Sequence, residues 1–190
     1  MQDKAALRRR AKAAREAWEE AYVRDADRRI ARMVMRMPQW QAAKTVFSYV
    51  SVGRETDTRE LIDAALLQGK RVCVPRCVGK GRMEARLLRA QAELLPAAFG
   101  LLEPPASAPL VPAGQIDVLI VACLAADLEG FRLGYGGGYY DRFLAEARGV
   151  SICLCRDRAL MDSVPRQQGD LPVDYVVTET QIRNVRFKAE

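Results

Sequence analysis

The residues best able to do chemistry lie between Asp127 and Asp141, in the run Asp-Leu-Glu-Gly-Phe-Arg-Leu-Gly-Tyr-Gly-Gly-Gly-Tyr-Tyr-Asp. Glycines at 134, 136, 137 and 138 leave backbone amides open to a ligand and permit positive φ. A helix starting near Gly138 would add unpaired N–H groups and the positive end of its dipole, a ready seat for phosphate oxygens. Arg132 supplies a fixed cation, and Asp141, in the first helical turn, is a carboxylate able to hold a phosphate-bridging Mg2+. Tyr135, between glycines, suits stacking on a flat ring. The run is neither a P-loop, for it lacks Gly-Lys-Ser/Thr, nor a GxGxxG dinucleotide fingerprint. The plain alternative is a glycine turn in which Asp141 only satisfies the helix start. Co-location of glycines, arginine, tyrosines and carboxylate after an apolar strand favours a nucleotide site.

Several elements must position this run. Asp117–Val121 (DVLIV) is a continuous apolar strand of the kind buried on both faces, and Gly138–Ala147 reads as the helix that follows. Thr45–Val50, Arg71–Val74 (closed by Pro75), Val150–Cys155 and Tyr175–Thr178 read as further strands, with a helix over Thr58–Gln68. This alternation predicts an α/β fold with a mostly parallel sheet. An N-terminal helical pair precedes it. Residues 3–20 set Leu7, Ala11, Ala14 and Trp18 on an apolar stripe beside a basic one of Lys4, Arg8, Lys12 and Arg15. The second helix buries Ile30, Met33, Val34 and Met37 and stops at Pro38.

Composition removes other chemistries. The chain has no histidine, which excludes Ser-His and Cys-His nucleophile pairs and His-ligated zinc. Its five cysteines lack metal or redox spacing and read as reduced thiols, four of them in apolar strands. No apolar run reaches the roughly 18 residues of a membrane span, and the charged start lacks a secretory signal's apolar stretch, so a cytoplasmic location is expected. The 190 residues predict a single domain over 1–190. Of the net charge of +6, residues 1–40 hold +5, from eleven basic against six acidic side chains. Such a localised basic helix suits a small anionic ligand or nucleic acid.

The run Arg-Leu-Gly-Tyr-Gly-Gly-Gly-Tyr-Tyr-Asp-Arg-Phe-Leu (132–144), preceded by Asp127 and Gly130, closely resembles the signature of 5-formyltetrahydrofolate cyclo-ligases. The resemblance spans nearly the whole chain: Lys4-x-x-x-Arg8, Ser51–Thr58, Gly69 to Pro75, Leu102-Glu103-Pro104 and Pro172–Glu179 match in order. It implies an open three-layer α/β/α sheet and ATP- and Mg2+-dependent cyclisation of 5-formyltetrahydrofolate to 5,10-methenyltetrahydrofolate, with release of ADP and phosphate. The ATP-binding residues it implies are Lys4, Arg8, Arg132, Leu133, Gly134, Tyr135, Gly136, Gly137, Gly138, Tyr139 and Tyr140. Glu55 would contact the folate, together with Tyr135, Gly136, Gly137, Gly138 and Tyr139. Asp141 and Asp174 would bind Mg2+. The implied partners are reduced folate and ATP, with no membrane and no nucleic acid, and the chain a monomer or weak homo-oligomer.

The sequence also departs from the family pattern. Ala122, Cys123 and Ala126 replace Pro-Gly and an aromatic, Cys155 and Ala159 replace an aromatic and a glutamine, and Gly169 replaces a histidine. These changes fall on the folate side, where restoring an aromatic at Ala126 or Cys155 is expected to tighten folate binding. They leave open a divergent paralogue that binds nucleotide without cyclising folate, and the basic helix leaves open a nucleic-acid-binding module.

Overall fold

The computed structural model describes residues 3–185. Helix α1 spans Lys4–Glu16 and α2 Glu20–Met35, so the predicted first helix ends four residues early. Its N-cap is Asp3, whose carboxylate accepts from the Ala5 amide. Pro38 does not simply stop the second helix. It opens a short third one, α3 (Pro38–Ala42), in the first turn, where its missing N–H costs nothing. Strand β1 (Thr45–Ser48) and helix α4 (Arg59–Leu67) follow. The remaining principal elements are β2 (Arg71–Gly79), β3 (Arg82–Leu88), β4 (Leu110–Val111), β5 (Val118–Val121), α5 (Tyr139–Glu146), β6 (Val150–Leu154), β7 (Tyr175–Val177) and β8 (Ile182–Asn184).

These strands form one eight-stranded sheet in the order β8-β7-β6-β5-β1-β2-β3-β4. The five central strands, β7 to β2, run parallel, and the outer ones pair antiparallel. The expected mostly parallel sheet is therefore present, extended at both edges by antiparallel strands. Pro75 does not end β2, which continues to Gly79 opposite β3. β1 pairs with β2 only as far as Cys73, so the proline sits where one side of β2 has no sheet neighbour to accept an N–H.

Side-chain alternation divides the core into two layers. Val46, Val118, Ile120 and Ile152 face α2, α3 and α4, meeting Ile30, Val34, Trp40, Leu61 and Ile62. Phe47, Leu119, Val121 and Cys153 face the other way, toward Phe143 of α5. Helices on both faces of an open sheet give the three-layer α/β/α arrangement. Cys73, Cys123, Cys153 and Cys155 are buried as small apolar side chains, and Cys77 is exposed.

The order of the strands fixes where a ligand can sit. From β1 the chain moves to β2 on one side, passes through β3 and β4, and returns to β5 on the other side of β1. The carboxyl ends of β1 and β5 thus form a topological switch point, the place where open α/β sheets leave a crevice. Residues 49–58 leave β1 there, and residues 122–138, including the glycine run, leave β5.

Candidate active site

The glycine run is built on a buried brace. Asp127 is fully buried: its Oδ1 accepts from the amides of Glu129 and Phe131, and its Oδ2 from that of Val164. This turn starts a short hairpin, Ala125–Ala126 against Arg132–Leu133, that projects residues 134–138 beyond the sheet. Gly138 is the left-handed residue just before α5, at φ 66°. A Cβ on Gly137 would lie 2.6 Å from the ring of Tyr139, so the loop closes on that tyrosine only because the position is glycine.

Helix α1 lies along this loop with Arg8 and Arg15 of its basic stripe turned toward it. The Arg8 Nε donates to the Gly134 carbonyl at 2.8 Å, and the guanidinium lies beside Gly136. Lys4 pairs with Asp170, and Lys12 stands 5.0 Å over the Tyr135 ring. Arg15 is buried and donates to the Cys123 carbonyl. Lys4, Arg8 and Arg15 thus reach the switch-point crevice while Lys12 stays exposed; of the apolar stripe, Leu7, Ala11 and Trp18 pack inward and Ala14 is exposed.

The loop after β1 forms the opposite wall. Glu55 accepts from the Val52 amide at 3.0 Å. Burial raises its carboxyl pKa, opposed by that amide bond, by the Tyr135 phenol as hydrogen-bond donor, and by Arg15. Burial likewise raises the Tyr135 phenol, with the Glu55 charge acting in the same direction. Arg156 holds the loop in place. It is buried, makes a bidentate pair with Asp27 at 2.7 and 2.8 Å, and donates to the carbonyls of Arg54 and Glu55. A carboxyl whose pKa is raised on folding favours the folded state below its ordinary value near 4.5 and disfavours it as pH rises through the folded value. Glu55→Gln is therefore expected to gain stability relative to the parent as pH rises past about 4.5. Urea titrations at pH 4 and pH 7 test this, an unchanged difference between the two proteins being the contrary result.

Several residues occupy other roles than the sequence suggests. Arg132 has a nearly buried side chain and is engaged by protein: Nη2 donates to Asp141 at 2.8 Å and Nη1 to the Leu171 carbonyl at 2.7 Å. It orients Asp141 rather than standing free. Leu133 is buried in a small cluster with Leu124 and Val164, and Tyr140 packs into the main core. Asp174 is turned to the sheet: its Oδ2 accepts from both the amide and hydroxyl of Ser151 at 2.8 and 2.9 Å. The carboxylate brought to Lys4 is instead Asp170, whose neighbour Leu171 donates its amide to Asp141 at 3.3 Å. The family resemblance singles out Asp174, and no local pattern brings Asp170 to Lys4. Arg15, Arg156 and Asp170 were likewise missed because their partners are remote in the chain.

Five of the six departures from the family pattern are core positions. Ala126 and Cys155 are fully buried, so an aromatic at either would overpack the core instead of meeting a ligand. Such a change is therefore not expected to tighten folate binding. Ala122, Cys123 and Ala159 are also buried, whereas Gly169 lies exposed beside Asp170.

Comparison with known proteins decides the family. A family model described as the 5-formyltetrahydrofolate cyclo-ligase family matches residues 1–179. The chain belongs to this family. The 5-formyltetrahydrofolate cyclo-ligase of Mycolicibacterium smegmatis is 37% identical over 148 residues, covering 72% of this chain and 74% of that one. The corresponding protein of Escherichia coli K12 is 31% identical over 155 residues, covering 78% and 85%. Among solved structures, the 5,10-methenyltetrahydrofolate synthetase of Aquifex aeolicus superposes with a TM-score of 0.86 at 29% identity, over 98% of this chain and 95% of that one. The cyclo-ligase motif quoted above is thus the segment that this fold projects into the switch-point crevice. Among the described residues no helix is long and apolar enough to cross a membrane.

Proposed function

We propose that this cyclo-ligase family member converts 5-formyltetrahydrofolate to 5,10-methenyltetrahydrofolate, with ATP cleaved to ADP and phosphate. The observation that carries the reading is the bond from Arg8 to Gly134. It ties the basic helix to the glycine loop in the crevice that Glu55 also faces. Lys4, Arg8, the loop amides and the start of α5 would take the phosphates, and Tyr139 would wall the loop. Glu55 and Tyr135 would orient the reduced pterin. Asp141 and Asp170, in place of Asp141 and Asp174, would hold Mg2+. Among the described residues no cluster of three or more acidic or thiol side chains could cage a metal by itself. Mg2+ needs no such cage, being held commonly by one or two carboxylates plus substrate phosphates. Bound there, Mg2+ would screen phosphate charge. We also place the enzyme in the cytoplasm, where five free thiols stay reduced.

The chemistry asks for positioning and charge neutralisation more than for a protein nucleophile. The formamide oxygen attacks the γ-phosphorus and ADP departs, leaving a phosphorylated imidate. N10 then attacks the activated carbon and loses its proton. Phosphate leaves with the original formyl oxygen as the ring closes. Lys4 and Arg8 would stabilise the transferring phosphoryl group. Substrate carrying 18O in its formyl group tests this order. The label is expected in inorganic phosphate. Label retained in formate, with unlabelled phosphate, would overturn it.

A further inference from the structure

Arg15 carries a feature that the reaction outlined above leaves unused. Arg15 is 3% exposed, yet among the described residues only its Nη2 has a partner, the carbonyl of Cys123 just beyond β5. Nε and Nη1 are buried without any hydrogen-bond acceptor. Buried polar groups are nearly always paired, and an unpaired donor on a charged group is among the costlier exceptions. A guanidinium anchored through Nη2 alone, with Nε–H and Nη1–H diverging on either side of it, has donors still awaiting an acceptor.

Its position indicates which acceptor. Arg15 lies seven residues beyond Arg8 on α1, so the two share a face about 10 Å apart at the helical rise of roughly 1.5 Å per residue. Arg8 is at the glycine loop, where the phosphates are placed. Arg15 is farther along, where its charge acts on Glu55 and Tyr135. The backbone carbonyl of Arg15 is itself fixed by Arg54, from the same loop as Glu55. A reduced pterin presents an amino edge, which suits a carboxylate, and next to it a carbonyl oxygen and the N5 substituent, which are acceptors. Glu55 and Arg15 are complementary to those two adjacent edges.

We propose that Arg15 is a substrate-binding residue whose unsatisfied Nε–H or Nη1–H donates to the oxygen edge of the reduced pterin, opposite Glu55. The inference rests on the folate reading given above. Because Lys4 and Arg8 serve the nucleotide, Arg15 determines affinity for the folate and not for ATP. Lysine at this position keeps the charge and can keep the bond to Cys123, but it lacks the further fixed donors of the planar guanidinium.

The test is calorimetric binding of 5-formyltetrahydrofolate and, separately, of MgATP to the parent and to Arg15→Lys. The expected result is at least a tenfold loss of folate affinity with MgATP affinity unchanged and the thermal midpoint within about 2 °C. Equal folate affinity in the two proteins would overturn the Arg15 assignment while leaving the cyclo-ligase reading intact. Absence of folate binding by the parent would overturn both. Loss of affinity for both ligands would show a structural role for Arg15 and reject the proposal. Should the variant fail to fold, the 15N–1H signal of Arg15 Nε in the parent decides. It is expected to shift on addition of folate and stay in place with MgATP, and no shift with saturating folate would contradict the assignment.

Discussion

Replacing both Lys4 and Arg8 by Glu is expected to weaken MgATP binding by about 3–6 kcal/mol, because charge-assisted contacts are each worth roughly 1.5–3 kcal/mol. That corresponds to a factor of about 10² to 10⁴ in affinity. Both side chains are held against the loop before any ligand arrives, Arg8 on Gly134 and Lys4 on Asp170, so little ordering cost opposes their contribution. The reversal also sets a carboxylate against Asp170 and against incoming phosphate. A modest drop in stability is expected from losing the two internal bonds. Calorimetric titration with MgATP, with far-UV spectra to establish folding, checks the prediction. Unchanged affinity in a folded double variant would return the stripe to a purely structural role.

The second large effect concerns the carboxylates. Asp141→Asn and Asp170→Asn are each expected to reduce activity by more than a hundredfold at low Mg2+, with partial recovery as Mg2+ is raised. Asp141 Oδ1 is already engaged by Arg132 and the Leu171 amide, which leaves Oδ2 available for a cation. Asp170 sits next to Leu171 and is linked to α1 through Lys4, which together with the Gln167 amide outweighs burial and lowers its carboxyl pKa. Asp174→Ala is expected to behave otherwise. It strips two hydrogen bonds from Ser151 and costs about 1–3 kcal/mol of stability, while the Mg2+ dependence of the folded enzyme stays as in the parent. Initial rates across a Mg2+ series for the three variants separate these outcomes. A shift of the Mg2+ requirement in Asp174→Ala, with none in Asp170→Asn, would reverse the assignment.

Most of the central sheet is legible because the physics is local. A strand covered on both faces reads as a nearly continuous apolar run, as Val118–Val121 does, and β1 and β6 interrupt theirs only with small hydroxyl residues. The β2–β3 hairpin is less legible. β3 carries Arg82, Glu84 and Arg86 and lies toward the sheet edge, and Pro75 imitates a strand end where β2 merely loses its neighbour. The glycine run is readable down to its N-terminal helix seat, since the left-handed residue before α5 is written as a glycine.

The basic helix shows where such reading ends. Lys4, Arg8 and Arg15 have the spacing of a solvated stripe, and only the fold supplies their partners at Asp170, Gly134 and Cys123, each more than a hundred residues away in the chain. Arg156 fixes the Glu55 loop across a comparable separation, and no local pattern announces it. Asp170 and Asp174 differ in role only through what each faces. Residue types thus point to a phosphate site, whereas the division of labour within it depends on tertiary contacts.

The central claim is that one crevice couples ATP cleavage to closure of the folate ring. The most direct measurement follows the methenyl chromophore and ADP together, in one reaction of purified protein with 5-formyltetrahydrofolate and MgATP. The account predicts that both appear at equal rates in a one-to-one ratio, and that neither forms when the other substrate is withheld. Normal MgATP binding with no methenyl product at saturating folate would contradict it.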